Sequence, residues 1–151
     1  MKVAILLASY NGEKYIEEQI QSLLDQTFKD IFIFIRDDGS SDKTFEIEKK
    51  YEKEYPEKIK VMQRQSGKGG SKENFWTLCE IAVKTSADYF MFCDQDDVWN
   101  KNKIEITFNR MLKVEKKYEG RPVLVHTDLE VVDQNLESLG TSFMEYRALD
   151  S

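Results

Sequence analysis

The sequence is poor in the residues that staple or metallate a small protein. Its 151 residues include two cysteines, Cys79 and Cys93, and one histidine, His126. The cysteines form no Cys-x-x-Cys pair, which argues against a thiolate metal centre or a redox couple and for buried free thiols. Long apolar runs are missing too. No segment approaches the roughly 18 apolar residues that a membrane span requires. The short apolar run in MKVAILLASYNG passes straight into polar sequence and reads as a first strand rather than a leader. Nor is there a surplus of positive charge: 22 Lys and Arg face 28 Asp and Glu, for a net charge of −6. That balance argues against a nucleic-acid partner, which usually meets a basic face. The basic residues interleave with acids, as in Glu46-Ile-Glu-Lys-Lys50, and read as solvated helix faces. These absences lead us to expect a cytoplasmic chain without a transmembrane segment.

An apolar fraction of 40% and an aromatic fraction of 12% are enough for a packed core, and the length suits one domain. Strand and helix patterns alternate along the chain. Val3–Ala8 is a continuous apolar run of the kind shown by a parallel strand buried on both faces. Ile16, Ile20, Leu23 and Leu24 share a helical face. Ile31–Ile35 is a second strand, and Phe45, Ile47, Tyr51 and Tyr55 mark a less regular second helix that ends before Pro56. Ile59–Met62 is a third strand. Phe75, Leu78, Cys79, Ala82 and Val83 fit the helical template in full. Tyr89–Cys93 is a fourth strand, Ile104, Phe108, Met111 and Leu112 form another helical stripe, and Val123–Val125 is a fifth strand. Leu129–Val132 can add a short one, with Asp133-Gln-Asn135 as a turn. The expected fold is α/β, a Rossmann-like, mostly parallel sheet flanked by helices on both faces.

Ligands of such sheets bind beyond the carboxyl ends of the strands. Here those ends read Ser9-Tyr-Asn-Gly12, Arg36-Asp-Asp-Gly-Ser-Ser-Asp42, Asp94-Gln-Asp-Asp97 and His126-Thr-Asp128, and their surplus charge is acidic. Asp94, Asp96 and Asp97 crowd three carboxylates into four positions. Hard oxygen ligands of this kind suit Mg²⁺ or Mn²⁺, which bind one or two carboxylates and complete their shell with water and phosphate. Asp97 or Asn100 can instead cap the following helix, but capping leaves Asp94 and Asp96 unexplained. An EF-hand reading fails, because Val98 and Trp99 stand where a ligand and a glycine are needed. An aspartyl-phosphatase reading is the remote alternative. In the second cluster Gly39 permits a tight turn, and Ser41 or Asp42 can cap a helix. Asp37 and Asp38 remain to accept hydrogen bonds from a ribose or a base. Ser66-Gly-Lys-Gly-Gly-Ser-Lys72 lacks the spacing of a phosphate loop and reads as a plain connection. His126 is a weak candidate for phosphate or acceptor contact.

Three segments in order, ASYNGEKYIEEQIQSLLDQTF, RDDGSSDKT and ADYFMFCDQDDVW, resemble the family 2 glycosyltransferases of GT-A fold, over residues 2 to about 135. DQDDVW and HTDLEVVDQN are similar to the rhamnosyltransferase-like branch. The resemblance implies a UDP- or dTDP-sugar donor and a glycan or lipid-linked acceptor in cell-surface polysaccharide synthesis, with peripheral association at the inner face of a membrane. It places Ala8, Ser9, Tyr10, Asn11, Asp37, Asp38 and Asp94 at the donor nucleotide and Asp96 with Asp94 at the metal, with Gln95 and Asp97 as weaker candidates. It also implies inverting transfer with a general base in an acceptor-binding half. No match to that half precedes Ser151. The expected organisation is therefore a donor-binding domain at 1–135, followed at 136–151 by the start of a truncated acceptor region with the base beyond Ser151. A nucleotide- or metal-binding module without transferase activity is the alternative.

Overall fold

A computed structural model describes residues 1–65, 67 and 69–148. They divide into two compact units, 1–104 and 105–151. The first unit is built on a four-stranded sheet of β1 (Val3–Ser9), β2 (Ile31–Asp37), β3 (Ile59–Gln63) and β4 (Tyr89–Cys93), in the order β3-β2-β1-β4. All three pairings are parallel. Between the strands run α1 (Ile16–Leu24), α2 (Thr44–Glu54) and α3 (Ser71–Ala82), and α4 (Lys103–Lys117) follows β4.

β1 is the axis of the sheet. All seven of its residues are buried, as expected for a strand with a neighbour on each edge and helices on each face. Its even residues Ala4, Leu6 and Ala8 pack against Leu78 and Ala82 of α3, with Phe34, Met62 and Phe75 around them. Its odd face lies on the side of α1, where Gln19 donates to Cys93 Sγ at 2.7 Å, one residue across from Leu7 in the register. The α1 stripe Ile16, Ile20 and Leu23 is fully buried as its period requires.

The structure departs from the sequence reading in three places. Val123–Val125 forms no strand; residues 122–130 have no regular structure. An apolar run becomes a strand only when a partner strand takes up its N–H and C=O groups, and no described strand does so. On α2 the buried stripe is Thr44, Glu48 and Tyr51 rather than Phe45, Ile47, Tyr51 and Tyr55. β4 has one partner among the described residues, so Phe90 and Phe92 are exposed in place of a buried run. Both cysteines are free, Cys93 buried and Cys79 partly so.

The second unit contains α4 from Glu105 onward, a short antiparallel pair, β5 (Val131–Val132) with β6 (Ser138–Gly140), and α5 (Phe143–Ala148). The Asp133 turn closes the pair through Leu136 N–H to Asp133 C=O at 3.0 Å. Asp128 accepts from the Ser142 hydroxyl and the Met144 N–H at the start of α5. No described helix is long and apolar enough to cross a membrane.

Gln26 ties the segment after β4 to α1. Its amide donates to the Ser22 carbonyl (3.1 Å) and the Asn100 carbonyl (2.9 Å) and accepts the Ile104 N–H (3.1 Å). Gln26→Leu keeps the volume but orphans buried backbone groups. We expect it to lower stability by about 2 kcal/mol, read as a fall in urea midpoint at constant m-value.

Candidate functional site

The strand order reverses direction at β1: β2 and β3 lie to one side, β4 to the other. A crevice outside the carboxyl ends of the strands at such a switch point is where open α/β sheets bind ligands. A cavity of about 620 Å³ lies there. Ala8, Ser9 and Tyr10 line it from β1, Asp38 from β2, Arg64 from β3, and Asp94, Gln95 and Asp96 from β4. Gly69, Gly70, Ser71 and Asn74 close it from the start of α3.

The acidic residues at this edge divide into two kinds. Asp37 is fully buried and its carboxylate is saturated. Oδ1 accepts the N–H groups of Gly39 and Ser40 and the amide of Gln63, each at 3.0 Å, and Oδ2 accepts the Ser40 hydroxyl. It holds the Asp38–Ser40 turn, in which Gly39 has φ +85°, and it does not line the cavity. Asn11, expected at the nucleotide, is likewise turned away. Its backbone is left-handed at φ +48°, its side-chain oxygen accepts the Ser41 N–H at 2.8 Å, and its N–H donates to Ser40 Oγ at 2.9 Å. Gly12 N–H to Thr44 Oγ1 (2.7 Å) and Glu13 N–H to Asp42 (3.1 Å) complete a seam between the loops after β1 and β2. Asp42 also accepts the Thr44 N–H at the first residue of α2, but the cap position itself is taken by Lys43, without a side-chain bond, so neither Ser41 nor Asp42 is the cap expected of them.

Asp38 faces the cavity. Its Oδ2 accepts the Gly70 N–H at 2.6 Å. Its Oδ1 lies 2.9 Å from Arg64 Nε and 3.7 Å from Arg36 Nη1. The Arg64 N–H groups are directed at the Asp38 backbone carbonyl (3.1 and 2.9 Å), so Oδ1 has charge partners but no hydrogen bond of its own. Arg36 is fixed in turn by Asn74, which accepts from Nη1 at 2.8 Å and donates to the Arg36 carbonyl at 2.9 Å. Arg64 and Asn74 were not among the residues expected here. Asn74 lies four residues before Leu78 and eight before Ala82, on the face of α3 that is buried, and a buried amide needs partners.

On the opposite wall, the carboxylates of Asp94 and Asp96 make no hydrogen bond or ion pair among the described residues; the Asp94 carbonyl accepts the Cys93 thiol at 3.3 Å. Burial first, then the charge of Asp96, pushes the Asp94 carboxyl above the usual range. Burial and the charges of Asp94 and Asp96 push Asp97 up, while Lys103 opposes them. Gln95 braces the gap. Its side-chain oxygen accepts the Tyr10 N–H at 2.6 Å and its amide donates to the Tyr10 carbonyl at 3.0 Å. Tyr10 is left 55% exposed. The Asn100 carbonyl accepts the Lys103 N–H, where α4 begins. His126 belongs to the second unit, is exposed, and lies in the segment without regular structure.

No group of three or more His, Cys, Asp or Glu among the described residues is arranged to hold a metal by itself. Two adjacent uncompensated carboxylates nevertheless fit a hard divalent ion that takes its remaining ligands from phosphate and water.

Residues 4–135 match the model of glycosyl transferase family 2, and the chain belongs to that family. It is 41% identical over 99 residues to the dTDP-rhamnosyl transferase RfbG of Shigella flexneri, covering 66% of this chain and 34% of that protein. It is 35% identical over 138 residues to an uncharacterized glycosyltransferase of Rickettsia typhi, covering 91% and 39%. The crystal structure of residues 1–349 of S. aureus TarS in complex with UDP superposes with a TM-score of 0.63 at 26% identity, covering 87% of this chain and 42% of that one. The fold is thus GT-A, and the chain spans between a third and two-fifths of the length of these curated relatives.

The two kinds of acid have opposite consequences for stability. Asp37→Asn sets an NH₂ or an uncharged oxygen against donors that a carboxylate now satisfies. We expect it to destabilise by roughly 2–4 kcal/mol. Asp96→Asn removes no hydrogen bond and relieves repulsion, so its urea midpoint should equal or exceed that of the parent.

Proposed function

We propose that this chain is the donor-binding part of a metal-dependent, inverting glycosyltransferase. In this reading it uses a UDP- or dTDP-sugar and a glycan or lipid-linked acceptor, in the synthesis of a cell-surface polysaccharide. The observation that carries the reading is one cavity with a compensated carboxylate on one wall, an exposed tyrosine, and two uncompensated carboxylates on the other wall. RfbG is named for a dTDP-sugar and TarS was crystallised with UDP. Both nucleotides present a pyrimidine with an imino N–H. Asp38, which lines the cavity, is the acid nearest in kind to an acceptor for a base or ribose donor, although its Oδ1 is buried against Arg64 and Arg36.

Residues 1–135 form the donor domain in this reading. Ala8, Ser9 and Tyr10 lie against the nucleoside, and the ring of the exposed Tyr10 supplies a stacking face. Asp94 and Asp96 hold Mg²⁺ or Mn²⁺ together with the donor diphosphate. The chemistry such an ion supplies is Lewis-acid stabilisation of the departing nucleoside diphosphate. Gln95 keeps the Tyr10 backbone at a fixed distance from the carboxylates on either side of it in sequence. Asp37 and Asn11 support the site from below as part of the loop seam. The general base that would take the proton of the acceptor hydroxyl is not assigned to any residue of the first unit.

Calorimetric titration with UDP and dTDP, with and without Mn²⁺, tests the reading. We expect the metal to tighten binding at least about tenfold and Asp96→Ala to abolish that gain, because two carboxylates share the ion. A folded sample whose nucleotide binding is indifferent to the metal would defeat the proposal. Metal-dependent binding together with failure to transfer or hydrolyse a donor supports the binding-module alternative.

A further inference from the structure

Glu48 is the least expected residue in the first unit. It sits on the inner face of α2, fully buried. Neither carboxyl oxygen has a hydrogen bond of good geometry; the neighbouring Ser9 hydroxyl, the donor that favours its charged form, is directed at the Arg36 carbonyl at 3.4 Å. The polar groups around it are the Ser9 hydroxyl at the end of β1, the Asp37 carboxylate at the end of β2 and the Asp42 carboxylate in the following loop. Both charged neighbours are anionic. On α2 itself the other buried positions are Thr44 and Tyr51. Ser9 and Asp37 are register partners. Ser9 lines the cavity, and Asp37 holds the turn that aims Asp38 into it.

An unpaired carboxylate in such a place costs several kcal/mol, and a buried acid escapes that cost by keeping its proton. We propose that Glu48 is a positioning residue of the donor cavity that works as a neutral acid: uncharged, it leaves Asp37 free to hold the Asp38–Ser40 turn, and ionised, it sets a second buried anion against Asp37 and loosens both the turn and Ser9. The proposal rests on the reading of the cavity as a nucleotide site. Burial, opposed by the Ser9 hydroxyl and reinforced by Asp37 and Asp42, pushes the Glu48 carboxyl from 4.5 up to about 8. The folded state thus keeps a proton that the unfolded chain gives up. The stability this provides is complete below about pH 4.5 and is lost progressively as the pH rises to about 8.

The test is UDP titration with Mg²⁺ at about pH 6.5 and about pH 9, with the amide resonances of Gly39 and Ser40 followed across the same range. In the parent protein UDP should bind roughly tenfold more weakly at the higher pH, an ordinary coupling between two sites. The two amides should titrate together near pH 8. Glu48→Gln should bind UDP at both pH values about as tightly as the parent does at the lower one, with flat amide shifts. Equal pH dependence in the two proteins, or a Glu48→Gln loss that is the same at every pH, overturns the proposal. If UDP fails to bind at either pH the nucleotide reading falls, and the amides still decide the role of Glu48. Should Glu48→Gln not fold, parent amides that do not move between pH 6.5 and 9 are sufficient to refute it.

Discussion

The carboxyl edge of this sheet depends on the saturation of one buried carboxylate. Asp37 has no solvent to turn to, and a buried acceptor left short of donors would cost more than most single contacts supply. Its oxygens therefore dictate the backbone around them. They draw Gly39 and Ser40 into a tight turn and pull Gln63 in from the adjacent strand. That turn sets the direction of Asp38 and offers Ser40 to Asn11. The loop after β1 is then locked to the loop after β2 before any ligand is considered. The cavity inherits one rigid wall from this arrangement.

The other wall is built on the opposite principle. The carboxylates of Asp94 and Asp96 lie close together without a donor or a cation among the described residues to relieve them, and desolvation and the neighbouring charge raise the cost of ionising Asp94 further. In the function proposed above, a bound cation brings the missing positive charge. The site thus joins a preorganised half, in which every acid is answered by protein groups, to an unfinished half. Gln95 spans the two by gripping both polar groups of the Tyr10 backbone. In that proposed function, the first wall meets the nucleoside, which needs shape and fixed hydrogen bonds, and the second meets the diphosphate, which needs charge.

Several buried polar residues elsewhere follow the first principle, and Glu48 does not. Gln19, Gln26 and Asn74 each place an amide where an apolar residue would pack, and each amide is used to join elements distant in sequence. Glu48 is buried with no hydrogen bond of good geometry. A neutral carboxyl is the state in which its burial costs least, which makes it sensitive to pH where the amides are not.

Much of this was legible in the sequence, and the boundary has a physical cause. The elements of the sheet announce themselves because burial on both faces demands unbroken apolar runs, as in β1, and because a helix packed on one side needs a stripe, as in α1 and α3. Parallel strands put their carboxyl ends together, so the acidic clusters after β2 and β4 were bound to meet. Residue type and order therefore determined the fold, the family and the position of the cavity. Tertiary structure decided which acids serve the scaffold and which face the opening. Asp37 and Asp38 are neighbours of identical chemistry, and only the sheet register and the turn between them turn one inward and the other outward. It also decided that Arg64 and Asn74 join the site, since their partners lie 26 and 38 residues away. It left Val123–Val125 without a strand partner. Apolarity is a property of a segment, but pairing belongs to two segments at once, and the hydrogen bonds that assign a carboxylate its role come from elements that meet only when the chain is folded.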